Sequence, residues 1–208
     1  SFPAKADYLL LRNRLGHELS LLGREEARFA EMAALVPFAV TIMDLFERQR
    51  RMETVVPDAM ARTVSDIATA AAAATKRVDS VPLRPTRIVA FRAAAQVLSL
   101  NQTLKRWYDF HAGYDPRFTW WTKAPYEKAS ASLTAYAKAL REKVVGFKEG
   151  EDEPIVGDPI GRAALVEDLA YEMIPYTPEE LVKIAEREFA WCEAEMLKAS
   201  RDMGFGTG

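Results

Sequence analysis

Nowhere in this chain do apolar and polar residues alternate with a period of two over the length of a strand. Leucines and alanines recur instead at steps of three and four: Leu11, Leu15, Leu19 and Leu22, then Phe29, Met32 and Ala33. Side chains three and four apart share one face of an α-helix, whereas a half-buried strand needs strict alternation. The pattern predicts an all-α protein, an irregular bundle of six to eight helices without a sheet.

Helix punctuation divides the chain. A first helix is expected from Asp7 to Leu35, ended by Pro37, which lacks an amide proton and clashes with the carbonyl four residues back. A second spans Phe38 to Met52, and Pro57 opens a third that carries the alanine tract Ala70–Ala74 and ends near Asp79. The small side chains of that tract allow a neighbouring helix close. A long helix follows from about Thr86 to His111, with Gly113 suited to a left-handed stop. The aromatic stretch then reads as a non-helical link, and Tyr126 begins a helix to about Phe147.

Further on, Asp158 and Pro159 suit the N-cap and first position of a helix to Met173. In "PYTPEEL", Thr177, Pro178 and Glu180 spell a capping box. The helix behind it has an apolar seam of Leu181, Ala185, Phe189, Cys192, Met196, Ala199 and Met203, with Lys183, Arg187, Lys198 and Arg201 opposite. The expected organisation is an N-terminal helical region at 1–147, with its aromatic link at 107–126. An acidic Gly/Pro linker at 148–159 and a C-terminal helix pair at 160–208 complete one structural unit.

Composition narrows the function classes. The 208 residues are 49% hydrophobic and 28% charged, with a formal charge of −2. Nucleic-acid binders usually gather a basic excess on one face, so no nucleic-acid partner is expected. No uncharged run exceeds twelve residues, and one of that length, Met32–Met43, holds Pro37; a bilayer span needs roughly twenty. A single cysteine, Cys192, excludes an internal disulfide framework and fits a reducing compartment, so the cytoplasm is expected.

Catalytic motifs are scarce. His17 and His111 are the only histidines, and neither has a second histidine within a turn or two; a zinc helix needs two on one face. Glu186, Glu188, Glu193 and Glu195 flank the apolar seam without the Glu-x-x-His partner of di-metal bundles. There is no nucleophile elbow and no phosphate loop. Cys192, within the seam, reads as a small hydrophobe. What remains is "RWYDFHAGYDPRFTWWTKAPY", Arg106–Tyr126, with eight of the chain's 21 aromatic residues. It reads either as a plug at a bundle end or as a cleft wall, in which Tyr114, Arg117, Trp120 and Trp121 contact a ligand.

Three segments, "DYLLLRNRLGHEL…RFAEMAALVPFA", "WYDFHAGYDPRFTWWTKAPY" and "GDPIGRAALVEDLAYEMIPYTPEELVKIAEREFAWCEAEMLKASRDMGFG", together resemble the domain of unknown function 885 family. The family is similar to zinc carboxypeptidases of the carboxypeptidase Taq type. The resemblance runs from Asp7 to Gly206 and is most specific from Asp158 onward. It implies an N-terminal portion of a larger helical metallopeptidase-like fold, forming one wall of a substrate cleft for peptides. The family's His-Glu…Pro-Gly-His segment, which supplies zinc ligands and a catalytic glutamate, lies beyond the matched region, so no catalytic or metal residue carries over to this chain. The implied zinc sits in a C-terminal portion of the same protein. The expected partner is that portion or a second copy of the chain, covering apolar stripes left exposed here.

Overall fold

The computed structural model describes residues 2–80, 86–147, 150 and 155–205, and among them it contains seven α-helices and no strand. These are α1 (Phe2–Met32), α2 (Ala39–Arg50), α3 (Pro57–Ser80), α4 (Arg87–Ala112), α5 (Pro116–Ala139), α6 (Arg162–Tyr171) and α7 (Pro178–Asp202). A 3-10 turn, Ala33–Leu35, follows α1, and a π-helical turn, Leu140–Val145, extends α5. The all-α expectation holds. Among the described residues no single helix is long and apolar enough to cross a membrane.

The chain divides into two compact units, one of Glu25–Asp158 and one of Ser1–Arg24 with Pro159–Gly208. The division falls within α1, which supplies residues to both. Half of the expected linker, residues 148–149 and 151–154, lies outside the described residues.

The Glu25–Asp158 unit holds the core. Its most extensive helix contact is between α3 and α5, followed by α4 with α5 and α2 with α4. Along α3 the buried residues Val64, Ile67, Ala68, Ala71 and Ala74 form one face, and α5 buries Ala129, Leu133, Tyr136 and Ala137. Alanines on both helices bring the backbones together, and the spacing of a helix pair is set by the side chains at its contact.

Pro37 breaks the chain as expected. Val36, held off helical geometry at φ −125° and ψ 56° by the proline after it, and Phe38 are both buried at the turn into α2. The broken backbone leaves the Leu35 carbonyl without a helical partner, and the buried Tyr136 hydroxyl donates to it at 2.7 Å. The Phe38 ring meets that of Tyr136 edge-on at 6.1 Å. Burial pushes the Tyr136 phenol up to about 12, so it remains a donor across the physiological range.

Three local expectations are corrected. The aromatic segment at 107–126 is not a non-helical link: α5 begins at Pro116, and Asp115 caps it by accepting from the Arg117 amide at 2.8 Å. Phe118, Trp120 and Trp121 therefore stand on α5, which runs on through Pro125. Gly113 keeps right-handed geometry at φ −83°, because the chain turns straight into the Asp115 cap. Finally, α6 starts at Arg162 after Gly161 at φ 84°. Asp158 does not cap it, since its carboxylate lies 3.3 Å from Arg92 Nε and 3.6 Å from Arg28 Nη2.

The second unit is built differently. None of residues 3–24 or 159–205 is buried. Arg24 grips Asp168 with two nitrogens at 2.6 and 3.3 Å. His17 stacks on Tyr171 with ring centroids 3.9 Å apart, and Asn13 donates to the Tyr171 carbonyl at 3.1 Å. The capping box at Thr177 forms as read: its hydroxyl accepts from the Glu180 amide, and the Glu180 carboxylate accepts from the Thr177 amide. From Ala185 onward the seam of α7, Cys192 included, is exposed instead of buried, and Leu181 is half-buried.

Packing at α3 gives a direct test. Ala71→Leu, with no room to grow toward α5, should cost about 1–3 kcal/mol in urea unfolding. Ala72→Leu, on the exposed side of the same turn, should stay within about 0.5 kcal/mol of the parent.

Candidate functional site

The aromatic segment divides into an inner and an outer set. Inside, Trp107 is 2% exposed and Phe118 1%, their rings edge-on at 5.4 Å. Tyr108 and Tyr126 stack face to face at 4.1 Å. Burial raises both of these phenols above their ordinary range. This inner half is a plug, welding the end of α4 to the start of α5.

Outside stand the four residues expected to line a cleft. Tyr114 is 84% exposed and Trp120 76%, while Arg117 and Trp121 are also exposed. The rings of Trp120 and Trp121 meet edge-on at 4.9 Å. Of the four, Tyr114 borders a cavity of about 350 Å³, together with Gln49, Met52, Glu53, Phe110 and His111. Arg117, Trp120 and Trp121 form an open aromatic-cationic patch on the first turns of α5.

His111 is the hinge between the two sets. Its ring lies 5.6 Å from Trp107, 5.2 Å from Phe118 and 5.0 Å from Phe110. This apolar surround lowers its pKa by desolvation, so the imidazole is neutral at pH 7. His111 Nε2 and Gln49 Oε1, on two residues that line this cavity, are both buried without a hydrogen-bond partner among the described residues. The neighbouring carboxylate of Glu53 is occupied by Arg48 at 2.9 Å. This arrangement supplies binding groups; it lacks the aligned base and nucleophile of acyl-transfer chemistry.

A larger groove, about 950 Å³, runs between the last turns of α1 and the first half of α4, lined by Phe29, Met32, Phe91 and Ala95 among others. At its end Arg92 reaches Glu31 at 2.7 Å, Asp158 at 3.3 Å and the Arg28 carbonyl at 3.3 Å. Sequence reasoning missed Arg92. Its signal was a charged residue within the otherwise apolar run "IVAFRAAA", where a buried cation requires carboxylate partners.

Among the described residues no group of three or more His, Cys, Asp or Glu side chains converges. Glu186, Glu188, Glu193 and Glu195 are all exposed. Glu188, the one nearest the seam centre, has Arg187 at 3.6 Å.

The depressed His111 pKa carries a sign. The unfolded chain takes up this proton near pH 6.5 while the folded one resists it, so His111 favours folding above that pH. The contribution is lost as pH falls from there toward the folded value. The urea midpoint should drop between pH 7 and 5, and His111→Phe should flatten that drop. An unchanged slope would remove the buried imidazole as its source. No protein-family model matches the chain, and neither the curated proteins nor the solved structures compared with it give a significant match.

Proposed function

We propose that this chain is a non-catalytic helical portion of a zinc-dependent, peptidase-like hydrolase, supplying one wall of a substrate cleft that a complementary C-terminal portion completes. The observation that carries this reading is the open leucine stripe of α1. Leu11, Leu15, Leu19 and Leu22 are each more than half exposed, in a unit in which no described residue is fully buried. Monomers rarely leave so large an apolar surface uncovered. The family resemblance supports the identity of the cover, and Tyr114, Arg117, Trp120 and Trp121 are the residues offered to a peptide. Zinc belongs to the complementary portion and its chemistry is not assigned to any residue here.

A second reading rests on the outer aromatic patch itself. A stand-alone helical binding or scaffold module would use Tyr114, Trp120 and Trp121 to grip an apolar ligand or a partner helix, since exposed tryptophan and tyrosine are favoured anchors.

Assay of the purified chain with zinc against a peptide panel should give no hydrolysis above a metal-free control. Zinc binding at one equivalent with turnover would overturn the first reading. Native mass analysis separates the two: co-elution with a second piece of the same protein supports the cleft wall, and a stable monomer or homodimer supports the stand-alone module.

A further inference from the structure

Around the axis of α7 most residues separate by chemistry, with Trp191 and Leu197 standing off the apolar stripe. At 100° per residue, Ala185, Phe189, Cys192, Met196, Ala199 and Met203 form one apolar stripe. Glu186 and Glu193 line one shoulder of that stripe, and Glu188, Glu195 and Asp202 line the other. The cations Lys183, Arg187, Lys198 and Arg201 occupy the back. The stripe is open along its length: Phe189 is 66% exposed and Met196 72%, and no residue of α7 is buried. Two cations reach round to a shoulder, Arg187 to Glu188 at 3.6 Å and Lys198 to Glu195 at 3.7 Å. Exposed pairs of that length hold little energy, so both shoulders remain acidic.

We propose that this stripe is a docking surface for an amphipathic helix of another polypeptide whose contact stripe is apolar and whose flanking positions carry lysine or arginine. The charge pattern selects this occupant. A second copy of α7 laid parallel sets Glu193 of one chain against Glu188 of the other; laid antiparallel, it sets each acidic shoulder against its own kind. Like charges at the flanks of a helix pair disfavour pairing, and opposite charges choose the partner. An anionic lipid surface meets the same repulsion. The proposal draws on α7 alone and stands whether or not the chain is part of a peptidase.

The test uses the full 208-residue chain and two labelled synthetic helices, both with leucine at the contact positions, one with lysine and one with glutamate at the flanks. The lysine peptide should bind on the order of tenfold more tightly at low salt, and the gap should close as salt rises. Reversing Glu186, Glu188, Glu193 and Glu195 to lysine should invert the preference. These four side chains are exposed, and circular dichroism checks that the fold is kept. Phe189→Ser with Met196→Ser should remove binding of either peptide. Equal binding of both peptides, binding of neither, or failure to invert overturns the proposal. So does sedimentation with phosphatidylserine vesicles, or a dimer at neutral pH that the two serine substitutions dissolve.

Discussion

The hydroxyl of Tyr136 and the carbonyl of Leu35 lie 101 residues apart in sequence and 2.7 Å apart in space. Pro37 makes this contact necessary, because the break it imposes leaves a carbonyl with no helical donor in a buried place. An unpartnered buried carbonyl costs about 1–3 kcal/mol. The phenol removes that penalty, and the same ring carries Phe38, and with it the start of α2, against α5. The alanine-lined approach of α3 to α5 then has a fixed frame on which to close.

The two units rely on different forces. In Glu25–Asp158 a contiguous apolar core is removed from water, and the buried Tyr136 hydroxyl satisfies the break at Leu35. In the other unit the ties are a ring stack, a bidentate Arg24–Asp168 pair and an amide-to-carbonyl bond. Asp168 has its pKa lowered chiefly by hydrogen bonding to Arg24, so this tie is present above the ordinary carboxylate range and weakens as pH falls through the lowered value. Partly exposed ion pairs are screened by salt. Contacts of this kind orient helices without supplying the burial that normally drives folding.

How much of this was legible in the sequence depended on how local the determining chemistry was. The Thr177 capping box needs only four residues, and it formed as read. Asp115-Pro116 carries a similar cap-plus-proline signature, but the surrounding aromatics and Pro125 made the segment look like a link. Asp158 failed as a cap because its carboxylate was claimed by Arg28 and Arg92, more than sixty residues away in sequence. The outer aromatic residues were identifiable as a group; which rings turn inward was not, since that depends on where α5 begins. Starting it at Pro116 turns Phe118 into the core and leaves Trp120 and Trp121 outside.

Pro125 gives α5 an uneven backbone. Lacking an amide proton, it cannot donate to the Trp121 carbonyl one turn back, so the helix is joined across that turn by one hydrogen bond fewer. The segment before it holds Arg117, Trp120 and Trp121; the segment after it holds the buried Ala129, Leu133 and Tyr136. Local opening follows the weakest backbone links. Phe118 and Thr122, however, are buried ahead of the proline, so side-chain packing holds these turns to the bundle where the backbone bond is missing, and Arg117, Trp120 and Trp121 are presented from an anchored segment.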